Sequence, residues 1–302
     1  MSIGTAVRIR THGKVNLFLR VLGLRPDGFH EVETILQAVD LYDEIDISPR
    51  SAPGVAVDMR FAPDVVGDLP AADDNLIFHA AALLVAHRDP GQGADVRVVK
   101  GIPIGAGLGG GSGNAAGALI VLSELWDQTI DRNTLHRLAA EIGSDVAYCL
   151  DGGTALGTGR GEKLTQLAAP DEMWFVLGGS HRSLSTRAVY DAWDDMGGET
   201  DGPQSAAMTL ALGARDIEEI ASVLHNDLER AAFTLMPELA EKKEALLAAG
   251  ALGASMSGSG PTLFGLASGE AHARAVAKRA GTDFHWVRVV RSRSDCVERL
   301  TP

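Results

Sequence analysis

The sequence is poor in cysteine, in positive charge and in long apolar runs. Its 302 residues hold two cysteines, and 27 lysines and arginines stand against 40 aspartates and glutamates. Cys149 and Cys296 are too few for a secreted disulfide scaffold and too scattered for a cysteine metal site, so they read as reduced thiols of an intracellular protein. The formal charge of −13 and the pI near 5.1 argue against a general nucleic-acid binder, which carries a basic stripe. A local anion site stays open, because a positive pocket can sit inside a negative protein. The apolar stretch Ala115–Leu122 falls far short of the ~20 residues that span a bilayer. Near the N-terminus, Arg8, Arg10 and Lys14 precede an apolar run broken at Arg20, with no small-residue cleavage site. That is no signal peptide, and a cytoplasmic protein without membrane or nucleic-acid partners is expected. The nine histidines do not cluster at ligand spacing, which argues against structural zinc.

What is present is apolar mass, with 45% hydrophobic residues and 35 glycines. At about 150 residues per domain the length suggests two domains, and the change of texture beyond Gly161 puts a soft boundary near 165, giving units 1–165 and 166–302. Val15–Val21 and Glu31–Ile47 read as strands around the turn Arg25-Pro26-Asp27-Gly28. Asp73-Asp74-Asn75 offers caps to a helix with Ile77, Ala80, Ala81 and Leu84 on one face, stopped by Arg88–Gly91. A strand at Asp95–Lys100 leads through a glycine-rich segment to a largely buried helix from about Gly113 to Trp126, and Thr134–Ile142 forms another helix. In the second half, Met173–Leu177 reads as a strand, Ala188–Asp194 as a helix and Gly197–Gln204 as a polar loop. Helices follow at Ile217–Leu224 and Pro237–Ala249, then two strands around a tight glycine turn within Ala254–Phe264. A helix at Glu270–Ala280 and a strand at Trp286–Val290 close a βαβ-like ending.

The segment Pro103-Ile104-Gly105-Ala106-Gly107-Leu108-Gly109-Gly110-Gly111-Ser112-Gly113-Asn114 lies between a strand and a helix. Glycines let a backbone turn with positive φ and converge its N–H groups on a ligand, and a helix N-terminus adds unpaired donors and partial positive charge. Such a loop suits a phosphate, although a turn for close helix packing could use the same glycines. It is no Walker A motif, because the Lys-Ser/Thr pair is missing. A dinucleotide fingerprint can be forced onto Gly105, Gly107 and Gly110, but the later acids Glu124 and Asp127 fall within or beside the helix.

Pro103–Ala116 resembles the ATP-phosphate loop of the GHMP kinases, the superfamily of galactokinase and of homoserine, mevalonate and phosphomevalonate kinases, and Ser255–Gly260 resembles its C-terminal glycine motif. Lys14–Leu19, Arg25–Glu31 with its Pro-Asp-Gly-Phe-His core, Gly143–Val146 and His225–Glu229 are similar to one branch of it, whose acceptor is 4-diphosphocytidyl-2-C-methyl-D-erythritol. The likeness runs from residue 14 to about 265. One departure is Gly113, where the loop commonly carries a second serine after Ser112.

The resemblance implies an α+β, two-domain fold, its N-terminal domain like domain 2 of ribosomal protein S5 and its C-terminal domain ferredoxin-like. It implies ATP-dependent phosphorylation of the acceptor's 2-hydroxyl in non-mevalonate isoprenoid biosynthesis. Asp145 would accept or orient the hydroxyl proton, and Lys14 would stabilise developing charge. ATP would lie against Asn75, Lys100, Pro103, Gly105, Gly107, Leu108, Gly109, Gly110, Gly111 and Ser112. Mg²⁺ would bridge its phosphates with no dedicated protein cage, Ser112 being the candidate contact. The cytidine would meet Asn16, Phe29 and His30, with Tyr190 stacking from the other domain, and Gly258, Ser259 and Gly260 would turn backbone N–H groups to the diphosphate. The alternatives are another small-alcohol kinase of the homoserine or mevalonate type, a Rossmann NAD(P) oxidoreductase, and a non-catalytic nucleotide sensor.

Overall fold

A computed structural model describes residues 6–300 apart from 64, 66–67, 88–90, 199 and 201. In chain order the first half holds β1 (Val7–Leu24), β2 (His30–Arg50), β3 (Gly54–Phe61), α1 (Leu76–His87), β4 (Gly93–Lys100), α2 (Gly110–Leu125), α3 (Arg132–Ile142), α4 (Ser144–Asp151), β5 (Thr154–Thr158) and β6 (Lys163–Gln166). The second holds β7 (Trp174–Gly179), α5 (Thr186–Asp195), α6 (Ser205–Ala214), α7 (Ile217–Ser222), β8 (His225–Asn226), α8 (Glu229–Leu235), α9 (Glu238–Ala248), β9 (Gly253–Met256), β10 (Leu263–Ala267), α10 (Glu270–Ala280), β11 (Trp286–Arg291) and β12 (Val297–Arg299).

The larger sheet runs β12-β1-β2-β4-β3, with β5 and β6 continuing from the far part of β2 and β8 lying parallel to β1. β1 and β2 are long, and their antiparallel register slips at His12/Gly13, Asn16/Phe18 and Val21/Gly23. Each slip adds twist, so one ribbon can serve both halves of the molecule. From Thr11 to Leu19 every residue of β1 is buried, because helices cover its first part and the second sheet its later part. Lys14 and Asn16, two apart, share one face of it.

α2 is the helix that closes this sheet. Its alanines and Leu119, Val121 and Leu122 are buried all round, and a Cβ on Gly117 would come within 2.6 Å of Ile9 Cδ1. Only a side-chain-free turn lets the helix lie this close to β1. α1 buries the expected Ile77, Ala80, Ala81 and Leu84 against the same core.

The smaller sheet runs β11-β7-β10-β9 and is antiparallel throughout. With its two crossovers this is the ferredoxin-like order. α9 and α10 cover one side, through Leu239, Leu246, Ala273 and Val276. Val15, Leu17, Phe18 and Ile35 of the long ribbon pack with Phe175, Leu177, Met208 and Phe264 in a third apolar cluster. That cluster joins the halves, and β8 and β12 return chain from the second half to the first sheet.

Several elements differ from the sequence reading. α2 begins at Gly110, three residues earlier, because Gly109 takes a left-handed φ of 71° and the next glycines are already helical. Asp145 follows the end of α3 and falls in the first turn of a further helix, α4, which was not expected, since Gly143 is an extended break between the two. α6, α8, β3, β5, β6, β8 and β12 were not expected. The proposed stop of α1 at residues 88–90 lies outside the described residues. Cys149 and Cys296 are buried and unpaired. No helix among the described residues is long and apolar enough to cross a membrane.

Candidate active site

The glycine-rich loop leaves β4 and enters α2 with positive φ at Gly105, Gly107 and Gly109, at 67°, 75° and 71°. Gly109 is the N-cap and has no side chain to satisfy the first turn. The N–H groups of Gly110, Gly111 and Ser112 therefore face outward at the positive end of a 16-residue helix. They border a cavity of about 330 Å³ lined by the loop, Ser112, Asn114, Asn75, Leu76, Met59 and Lys100. Asn75 caps α1 through the Ile77 N–H at 3.0 Å. Lys100 is tied below the cavity to the fully buried Asp43, whose other oxygen accepts the Gly101 and Ile102 N–H groups at 2.9 Å each. Burial pushes the Asp43 carboxyl up, against the pull of the Lys100 ammonium and those amides.

A second cavity, of about 210 Å³, adjoins the first, and Gly107 and Gly109 line both. Its other walls include Lys14, Asn16 and Thr34 from the long ribbon, Asp145 from α4, Thr186 and Tyr190 from α5, and Gly258 and Ser259. Lys14 Nζ donates to Asn16 Oδ1 at 2.8 Å and lies 3.4 Å from Asp145 Oδ2. The lysine side chain is 4% exposed and the aspartate 38%, so the carboxylate is the member that reaches open space. Asn16 Nδ2 donates to Thr34 Oγ1 at 2.8 Å, which donates in turn to Phe18 O at 2.9 Å. This chain holds the amide oxygen toward the ammonium. Asp145 also sits in the first turn of α4, where the helix end favours a negative charge. A group that accepts a proton, a fixed ammonium and an anion site with no net charge of its own thus meet at one junction.

Two family models match the chain, GHMP kinases N terminal domain over residues 75–153 and GHMP kinases C terminal over 208–285. A 4-diphosphocytidyl-2-C-methyl-D-erythritol kinase of Thermobifida fusca is 44% identical over 92% of this chain and 92% of its own. One of Pelotomaculum thermopropionicum is 43% identical over 88% and 91%. The chain belongs to the 4-diphosphocytidyl-2-C-methyl-D-erythritol kinases of the GHMP superfamily. A crystal structure of 4-(cytidine 5'-diphospho)-2C-methyl-D-erythritol kinase superposes with a TM-score of 0.76 at 32% identity, covering 94% of this chain and 98% of the other. The two-domain GHMP fold expected from the motifs is thus the fold present.

For a GHMP kinase the residues singled out in the sequence fall into three groups. Asn75, Lys100, Pro103, Gly105 and Gly107 to Ser112 line the first cavity, and Lys14, Asn16, Asp145, Tyr190, Gly258 and Ser259 the second. Phe29, His30 and Gly260 line neither. His30 stacks on Tyr190 with ring centroids 4.6 Å apart, and its Nε2 meets Asp194 Oδ1 at 2.9 Å. Burial, with the Asp145 carboxylate, holds the Tyr190 phenol up, so it stays protonated. Phe29 is 54% exposed beneath the Arg160 guanidinium, 4.8 Å from its ring centroid. The Gly260 N–H is already bound to Ser257 O at 3.0 Å, which leaves Gly258 and Ser259 as the residues of that turn facing the cavity.

A Cβ at Gly113 would lie 3.3 Å from His12 O and 3.4 Å from Thr11 Cβ. A hydroxymethyl group would crowd β1 there, and glycine relieves it. Among the described residues no group of three or more His, Cys, Asp or Glu stands together to hold a metal ion, while Ser112 stands half-buried at the start of α2. Thr34, Thr186 and Arg160 also line the second cavity and were not singled out beforehand. Their only sequence signal is nearness to quoted motifs.

Proposed function

We propose that the chain transfers the γ-phosphoryl group of ATP to the 2-hydroxyl of 4-diphosphocytidyl-2-C-methyl-D-erythritol, giving the 2-phosphate and ADP. The observation that carries this is the pair of adjoining cavities sharing Gly107 and Gly109, with Lys14 and Asp145 3.4 Å apart at their junction. ATP enters the glycine-lined cavity with its phosphates on the amides of the first turn of α2, so that the γ-phosphoryl is directed to the junction. The acceptor's hydroxyl lies against Asp145, which takes or orients its proton as the new P–O bond forms and the β–γ bridging bond breaks. Lys14 faces the charge that gathers on the transferring group, and its buried stem and Asn16 contact hold it there. Phosphoryl transfer rests on positioning and charge neutralisation, and this geometry supplies both. Mg²⁺, carried by the nucleotide, would neutralise phosphate charge, with the Ser112 hydroxyl as the protein contact at hand. His30, Tyr190 and Phe29 would form the nucleobase end of the acceptor site.

The division into 1–165 and 166–302 fits this reading, because Lys14, Asp145 and the phosphate loop come from the first unit and Tyr190, Gly258 and Ser259 from the second. The test is ADP release in the presence of Mg²⁺ and ATP with the cytidylylated acceptor, with homoserine or with mevalonate. Turnover of the first alone is expected. Turnover of either of the others in its place would move the chain to another small-alcohol kinase, and NAD(P) binding without ADP release would overturn the kinase reading.

A further inference from the structure

The His225–Glu229 motif is left without a role by the chemistry above, yet its Leu228 lines the second cavity and its Asn226 holds the glycine turn that lines it too. Asn226 is 5% exposed and lies in the two-residue strand β8, which runs parallel to β1 at Phe18 and Leu19. Its Nδ2 donates to the carbonyl oxygens of Met256 and Gly258, both at 2.8 Å. Its Oδ1 accepts the Leu228 N–H at 2.9 Å. All three bonds fix the amide in one orientation, and only an amide can supply two donors and one acceptor in this array.

Consider what the bond to Gly258 does. The peptide unit between Gly258 and Ser259 is planar and its C=O and N–H point in opposite directions. Holding the Gly258 oxygen to Asn226 therefore turns the Ser259 N–H the other way. Gly258 and Ser259 both line the acceptor cavity, and no acceptor for the Ser259 N–H occurs among the described residues. The turn is anchored again on the phosphate side, where Ser257 Oγ donates to Gly107 O at 2.9 Å. Gly258 must also stay lean: its φ is 57°, and a Cβ there would lie 3.3 Å from Lys14 Nζ.

We infer that Asn226 is a positioning residue that aims the Ser259 N–H into the acceptor cavity, where it meets an anionic oxygen of the acceptor's diphosphate. Asn226 itself touches neither substrate; it acts through the peptide it holds. The inference rests on the acceptor cavity assigned above and adds the group that sets its backbone donor.

The test compares wild type with Asn226→Asp, which keeps the shape and the acceptor for Leu228 but replaces both donors by a carboxylate facing two carbonyls. The KM for the cytidylylated acceptor is expected to rise about tenfold or more, with ATP KM changed by less than about twofold, the scale of one or two lost hydrogen bonds. Equal loss for both substrates, or loss for neither, would overturn the positioning role. Should the variant fail to fold, the wild-type protein decides: the Ser259 amide resonance moves downfield on saturation with the acceptor, and an unmoved resonance refutes the inference. Absence of wild-type turnover in the same series would refute the acceptor assignment instead, so the two failures are separable.

Discussion

Gly107→Ala tests whether the contact between the phosphate loop and the C-terminal glycine turn sets the rate. Gly107 has a φ of 75°, and a Cβ there would lie 3.0 Å from Gly260 O and closer still to Ser257 O. Both obstacles are backbone, and Ser257 is already bound to Gly107 O through its hydroxyl, so neither can swing aside. An alanine in the left-handed region costs about 1–2 kcal/mol by itself, and overpacking typically adds about 1–3 kcal/mol. Relief comes by parting the two segments, a displacement on the order of 1 Å at a site where that shift costs about 10²-fold in rate. The expected outcome is a fall of about 100-fold in kcat/KM for phosphoryl transfer, equivalent to about 2.7 kcal/mol, with a lower urea midpoint. The control is Gly213→Ala in α6, where a Cβ meets nothing within 4 Å and stability should rise by about 0.4–1 kcal/mol. Steady-state ADP release and urea unfolding on the same preparations measure both. Gly107→Ala retaining kcat/KM within about threefold would refute the claim that this close approach positions the reacting groups.

Three further outcomes follow from the same geometry. Asp145→Asn should lower kcat by about 10²-fold or more while leaving ATP affinity nearly unchanged; full kcat in single-turnover assays would remove the carboxylate from the chemistry. Asp43→Asn leaves the buried Lys100 ammonium without its counter-charge and should cost about 3–5 kcal/mol in urea unfolding, whereas an unchanged midpoint would show that the pair is not needed. Burial, then the Arg293 guanidinium, hold His12 below the usual histidine range, against Glu298 at 3.1 Å and Asp40 at 3.8 Å. The unfolded chain then binds the proton first as pH falls through about 6.5, so stability is full above that value and declines below it. In urea midpoints at pH 7.5 and 5.5, His12→Asn should show a smaller drop than wild type, and an equal drop would sink the assignment.

Legibility in the sequence follows the range of the interactions concerned. The face Ile77, Ala80, Ala81 and Leu84 is a local period and emerged buried; so did the strand-turn-strand at Gly253–Ala267, and α10 has its expected bounds. α4 stayed hidden because Gly143 reads as a stop, yet its φ of 173° is an extended joint into a second helix. β8 and β12 are two and three residues long, and they exist only because β1 offers edges to chain far away in sequence. Within the site, Lys14, Asp145 and the glycine loop were visible as motif residues. Asn226 stood in a quoted motif, but its bonds reach carbonyls 30 and 32 residues on, which no local pattern can express.

The acid excess has a structural counterpart in where the cations lie. Lys14 and Lys100 have side chains 4% and 3% exposed, each facing a carboxylate, Asp145 and Asp43. They therefore add little to the outer field of a chain whose formal charge is −13. A small anion meets something different, because the donors at the start of α2 are backbone amides, whose partial charges do not enter the formal sum. An acidic chain is thus compatible with the triphosphate of the proposed function, because the donors gather at one helix end beside a glycine-lined cavity of about 330 Å³, where the formal charge does not register them.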